Sequence, residues 1–191
     1  ILGSKHIYEY RNKLEFTFAD KRWLTYEEIA AGGDIERAPA LGFHIPNCFD
    51  KVLDIDTCYL QAEPSNSIRT EVKRFCIENG YSFHNCREHA GLMRNIIIRT
   101  ASTGEVMVIV IFNEADMERI TALLDMLKEK FPQITSLFYV VNTKWNDSVG
   151  DLEHVCYRGK DHIIEQMEGL QFKVGPKSFY QTNSAQAYEL Y

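Results

Sequence analysis

An α+β fold is predicted, with an antiparallel or mixed β-sheet, two main helices packed on one face, and additional N-terminal β-strands. Three observations carry this expectation. Residues 65 to 141 run in the order helix, strand, strand, helix, strand, which suits a sheet with helices on one side. Two long stretches place apolar residues three and four apart. Short β-rich runs flank this centre on both sides.

The clearest strand is Tyr8 to Phe18: Tyr8, Tyr10, Leu14, Phe16 and Phe18 alternate with Glu9, Arg11, Lys13, Glu15 and Thr17. A second run, Arg22 to Ile29, precedes a turn at Gly32-Gly33-Asp34. Ala40 to His44 and Val52 to Ile55 read as further short strands. From Ser65 to Asn79, Ile68, Val72, Phe75 and Cys76 follow helical spacing, and Gly80 sits where a C-terminal cap belongs. Leu92 to Arg99 and Glu105 to Phe112 form a hairpin through Ala101-Ser-Thr-Gly104. Asn113 is the expected cap of a helix carrying Met117, Ile120, Leu124, Leu127 and Phe131, which Pro132 stops. Ile134 to Val141 reads as a buried strand, with shorter ones near Leu152 to Tyr157, His162 to Gln166 and Leu170 to Val174. A last helix starts at Asn183 or Ser184, with Gln186 placed to cap back.

Lys and Arg number 21 against 27 Asp and Glu, a net charge of −6. That balance argues against coating nucleic acid over the whole surface, because such binding neutralises phosphates with cations. A local basic strip remains compatible with it. No run approaches the ~20 apolar residues that span a bilayer, so no membrane partner is expected. Cys48, Cys58, Cys76, Cys86 and Cys156 are scattered and never form C-x-x-C, which fits reduced thiols in a cytoplasmic protein. The chain opens without an initiator Met or a signal-peptide pattern and closes within a short helix that cannot bury its apolar face alone. Both ends read as those of an excised segment.

Phosphate-cradling Gly-rich loops, H-E-x-x-H and G-x-S-x-G are absent, which disfavours self-contained catalysis by those routes. His84-Asn-Cys86-Arg-Glu88-His89 is the densest group of metal-ligand types, but it offers one half-site, and zinc sites take three or four converging ligands. A polar loop is the ordinary reading, and an RNA-phosphate contact by Arg87, His89, Arg94 and Arg99 ranks lower. Arg11 and Lys13 share a strand face with Glu9 and Glu15, as solvated strands commonly do. Cys58 follows a strand end as one isolated thiol. Ser178-Phe-Tyr-Gln-Thr-Asn183 sets two aromatics before a helix start; a base or planar cofactor could stack there while Gln181 reads its edge.

Tyr10-Arg-Asn-Lys-Leu-Glu-Phe16, Leu41-Gly-Phe-His44, Asp54-Ile-Asp-Thr-Cys58, Leu92-Met-Arg-Asn95 and Phe179-Tyr-Gln-Thr-Asn183 occur in that order. Together they resemble the RNA uracil-5-methyltransferases, which use S-adenosylmethionine to make 5-methyluridine. The resemblance implies that residues 1–177 are the central α+β domain and 178–191 the start of a truncated Rossmann-like methyltransferase domain. It implies that Gln181 contacts S-adenosylmethionine and that Phe179 sits beside the cofactor and flipped-base pocket. Arg11, Lys13 and Arg94 fall where RNA contacts are expected. In the ribosomal-RNA branch four cysteines hold a [4Fe-4S] cluster; Cys58 matches one ligand, and the other three lie upstream of Ile1. The resemblance thus leaves a cluster possible in the parent protein, and none is expected in this chain. Cys58 also favours 23S ribosomal RNA over transfer RNA as partner. The nucleophile, the base and the cofactor loop fall beyond Tyr191, so the chain alone is expected to be inactive and to position RNA beside the missing catalytic domain. The competing reading is a free-standing α+β RNA-binding or protein-interaction module without catalysis.

Overall fold

The computed structural model describes residues 3–35 and 37–191. In chain order the elements are β1 (Lys13–Ala19), α1 (Tyr26–Ala31), β2 (Ala40–His44), β3 (Val52–Asp54), α2 (Ser65–Glu78), β4 (Met93–Thr100), β5 (Val106–Phe112), α3 (Met117–Lys130), β6 (Ile134–Val141), β7 (Val155–Gly159), β8 (Ile163–Met167), β9 (Leu170–Val174) and α4 (Ser184–Leu190). Strands β1 to β7 form one mixed sheet in the order β3-β2-β1-β4-β5-β6-β7, and β8 and β9 form a separate hairpin. The expected α+β class is what forms. The N-terminal strands extend the main sheet and do not build a second layer.

Among the described strands only β5 and β6 pair in parallel, so they need a crossover, which α3 supplies. A parallel strand covered on both faces should read as an unbroken apolar run. Val-Met-Val-Ile-Val-Ile-Phe does, and all seven residues of β5 are buried. Val106, Val108, Val110 and Phe112 face the cluster that contains Ile68 and Val72 of α2 and Ile120 and Leu124 of α3. Met107, Ile109 and Ile111 face the opposite side, where Ile163 of β8 and Val174 of β9 cover them. Both long helices thus lie on one face and the small hairpin closes part of the other. No helix among the described residues is long and apolar enough to cross a membrane.

Three expected boundaries move, each for a local reason. The first strand begins at Lys13 and not at Tyr8, because Glu9 takes a left-handed φ of 52°. The Glu9 and Arg11 amides donate to the Tyr59 and Leu60 carbonyls at 2.7 and 2.8 Å, outside the sheet ladder. Helix α3 is capped by Asp116, whose carboxylate accepts from the Arg119 amide at 3.1 Å. Asn113 is held by the Leu92 carbonyl at the end of the hairpin, one turn too early to cap. The run from Arg22 resolves into α1, started by a capping box between Thr25 and Glu28. In the L-G-F-H segment, Gly42 is required because a Cβ there would collide with the Leu53 carbonyl oxygen of the neighbouring strand.

Candidate functional site

The two most distinctive motifs, far apart in sequence, are clasped together by Asn12. Its backbone amide donates to the Thr182 carbonyl at 2.8 Å. Its side-chain amide donates to the Gln181 carbonyl at 2.8 Å and to Ser184 Oγ at 2.7 Å. The Asn12 carbonyl accepts from the Thr100 amide, which anchors the clasp to the end of β4. One residue earlier in the ladder, Arg99 is buried in β4 and reaches the other end of the same segment. Its Nη1 and Nη2 donate to the Gly175 and Ser178 carbonyls, both at 2.7 Å. Glu165 completes the frame, accepting from the Ser102 amide at 2.9 Å and from Ser184 Oγ at 3.2 Å. Residues 175–184 are therefore held at both ends by side chains that reach them from Asn12, just before β1, and from β4.

The adjacent aromatics separate. Phe179 is 84% exposed, whereas Tyr180 turns inward against the second core cluster, 6.3 Å from the Phe172 ring. The Gln181 side chain lines a shallow hollow of about 470 Å³ with Gln186 and Leu190. Among the described residues its amide makes no hydrogen bond, so donor and acceptor both remain available to a ligand. Arg11 and Lys13 line an adjoining hollow with Thr182. Burial, and then the nearby Arg99 guanidinium, lower the Lys13 pKa. The N-cap of α4 is as expected on one side: Asn183 Oδ1 accepts from the Gln186 amide at 3.0 Å. The return bond from the Gln186 side chain is not formed.

Arg94 lies elsewhere and faces inward. Its side chain is 1% exposed. It donates to the carbonyls of Asn142, Lys144 and Asn146 at 2.7, 2.5 and 3.2 Å and to Asp147 Oδ1 at 2.7 Å. The guanidinium is thus committed to the loop between β6 and β7 and presents no open fork to a phosphate. The four-residue phosphate contact also dissolves, because Arg99 is spent on the 175–178 carbonyls and Arg87 pairs with Asp50 at 2.5 Å.

His84, Asn85, Cys86 and Arg87 line a cleft of about 320 Å³ between the end of β1, the 44–52 turn and the start of β4. The rings of His84 and His89 do not converge on a common point. His89 stacks on Trp145 with centroids 4.4 Å apart, and its Nε2 lies 2.9 Å from the Thr143 carbonyl oxygen. The His84 ring meets that of His89 edge-on at 5.5 Å. Among the described residues no three His, Cys, Asp or Glu side chains gather as metal ligands. Cys58 is buried, with its backbone bracketed by the Asn66 amide at 2.8 and 2.9 Å. It supplies one thiolate where a [4Fe-4S] cluster takes four, so no chemistry is routed through it.

Burial, Arg94 and His89 lower the His84 pKa, and burial lowers that of His154. The unfolded chain then binds more protons than the native one once pH falls below the free-histidine value of about 6.5. Stability is fully present above that value and is lost as pH falls through it. Thermal unfolding midpoints should decline between about pH 7 and 5.5, above the range where carboxylates titrate. The decline should be shallower in His84→Gln; an unchanged slope would remove His84 from that account.

What sequence reasoning missed are the positioning residues Asn12, Arg99 and Glu165. A signal existed for Arg99, an arginine inside the otherwise apolar strand Met-Arg-Asn-Ile-Ile-Ile-Arg-Thr. Cationic residues in a sheet sealed on both faces must find carbonyls or acids.

No family model matches the chain. A protein of Bacteroides thetaiotaomicron described as an uncharacterized RNA methyltransferase is 54% identical over 194 residues, covering 100% of this chain and 43% of that protein. A Porphyromonas gingivalis protein of the same description is 54% identical over 100% of this chain and 42% of its own length. One from Chlorobaculum tepidum is 34% identical over 100% of this chain and 40% of its own length. Among solved structures, the tRNA (uracil-54, C5)-methyltransferase of Pyrococcus abyssi, in complex with S-adenosyl-L-homocysteine, matches with a TM-score of 0.71 and 26% identity. That match covers 98% of this chain and 41% of the other. The chain spans about two fifths of the length of the curated relatives it matches.

Proposed function

We propose that this chain is the RNA-positioning central part of an S-adenosylmethionine-dependent RNA (uracil-5-)-methyltransferase. On this proposal residues 1–177 form the central α+β domain and residues 178–191 open the catalytic domain. The observation that carries it is the Asn12 clasp, which joins the Y-R-N-K and F-x-Q-x-N segments into one site. The relatives' descriptions and the methyltransferase fold neighbour support the same reading.

Within it, Gln181 offers an unoccupied amide to the cofactor and exposed Phe179 stands where a planar group can stack. Arg11 and Lys13, in the hollow beside Thr182, supply the cationic contact to RNA. Arg94 acts by holding the 142–147 loop. S-adenosylmethionine supplies the methyl group. A cysteine thiolate would attack uracil C6 to activate C5, C5 would take the methyl group and release S-adenosylhomocysteine, and a carboxylate would then remove the C5 proton as the thiolate is expelled from C6. The target base must leave its stack first. Burial pushes the thiols of Cys76, Cys86 and Cys156 up, away from thiolate character. The nucleophile, base and Gly-rich cofactor loop are assigned to the length of the relatives that this chain does not span. Ribosomal RNA is put ahead of transfer RNA on the Cys58 likeness, although an iron–sulfur role would need three more thiolates beside it.

The test is methyl transfer from labelled S-adenosylmethionine to ribosomal and transfer RNA, with digestion to identify 5-methyluridine. The protein of the relatives' full length should transfer, and the 191-residue chain alone should not. Transfer by the chain alone would overturn the assignment. In the full-length protein Gln181→Ala should weaken cofactor binding by about tenfold, the worth of a hydrogen bond to a buried polar edge; equal affinities by calorimetry would remove Gln181 from the site.

A further inference from the structure

Trp145 is 74% exposed, yet its loop is tied down by a buried arginine. The carbonyls on either side of it, from Lys144 and Asn146, both accept from the buried Arg94 guanidinium. One face of the indole is covered by His89, tilted only 18° from parallel. The other face is open. An apolar ring displayed rigidly, with one face backed by an aromatic, costs little ordering entropy when a planar partner stacks on it.

The stack borders the 320 Å³ cleft through His84. His89 meets His84 edge-on, and His84 lines the cleft with Phe49 and Trp23. That volume is at the small end for ligand clefts and suits about one nucleotide. Six Lys and Arg residues line it against three Asp, and of the six Arg22, Lys51 and the buried Arg94 are committed to ion pairs. Arg87 pairs with Asp50 and lies 5.8 Å over the Phe49 ring. Lys21 makes no ion pair among the described residues. Concentrated cations interleaved with aromatic faces are the pattern that binds single-stranded nucleic acid. The cleft shares no lining residue with the hollows around Gln181 and Lys13.

We infer that Trp145, His89 and this cleft form a second RNA subsite, which stacks one unpaired base and meets a neighbouring phosphate with Lys21. The inference rests on the RNA-positioning reading above and adds to it a separate anchor for the strand. Because stacking is sequence-tolerant, this subsite fixes the strand's position and leaves base identity to be read elsewhere.

Trp23→Phe leaves Trp145 as the sole indole, since the chain has two Trp. A short single-stranded, uridine-containing RNA should then quench Trp145 emission on titration. Trp145→Ala and His89→Ala should each weaken its binding about tenfold. Lys21→Ala should reduce the salt slope by about one. Binding that persists in Trp145→Ala at full strength, or duplex RNA binding as tightly as single strands, would overturn the subsite while leaving the RNA reading intact. Concentration-dependent self-association abolished by Trp145→Ala would assign the ring to a contact between copies and overturn it too. Failure of any RNA to bind would remove both readings.

Discussion

Arg94→Ala should lower unfolding free energy by about 3 kcal/mol, the scale of removing one partner from a buried, charge-assisted network. Four hydrogen bonds leave with the guanidinium; the Asn142 and Lys144 carbonyls lose that donor outright, while the Asn146 carbonyl keeps the Asn142 side-chain amide. The ion pair itself is the smaller part. Asp147 is 57% exposed, so Asp147→Ala should cost under about 1 kcal/mol, as exposed pairs do. Arg94→Lys should recover little, because one ammonium cannot span carbonyls that a planar fork reaches together. Denaturant midpoints measure the global loss, and amide exchange over residues 142–147 locates it. The near-ultraviolet dichroism of Trp145 should fall in parallel, since that loop holds the indole against His89. A global loss as small as that of Asp147→Ala would show that the loop is held by other contacts.

The scaffold was largely legible, and for a physical reason. Elements α2, α3 and the β4–β5 hairpin lie where burial is one-sided or complete, so core position leaves its period in the sequence. Failures fall where burial is not the deciding force. Tyr8 and Tyr10 continue the alternation of β1, but alternation does not report that Glu9 turns left-handed and passes its neighbours' amides to the 59–60 carbonyls. Phe179 and Tyr180 are indistinguishable by composition, and only the tertiary position of β9 sends one outward and the other into the core. Arginines mislead most. Arg94 and Arg99 look like phosphate ligands in sequence, yet both spend their donors on backbone carbonyls. Their charge serves the fold first, and any RNA contact is made by what they hold in place.

Asn12→Ala and Arg99→Ala should release residues 175–184 far more than they lower global stability. Asn12→Ala removes two side-chain hydrogen bonds but keeps the backbone bond to Thr182, so a global cost of about 1–2 kcal/mol is expected. Arg99→Ala should cost about 3 kcal/mol, because the Gly175 and Ser178 carbonyls lose a buried cationic donor. Local opening is the more telling quantity. Lys177 is exposed inside the tethered stretch, so tryptic cleavage there reports how often the segment leaves its frame. Each single variant should cleave faster than the parent. The double variant should depart from additivity, since both side chains restrain one short segment. Cleavage at the parent rate in the double variant would mean that Glu165, Ser184 and the packed Tyr180 suffice to hold it. The alternative carries a chemical consequence. If the clasp governs where Gln181 sits, loosening it in the full-length protein should raise KM for the cofactor before it lowers kcat, because ordering the segment must then be drawn from binding energy.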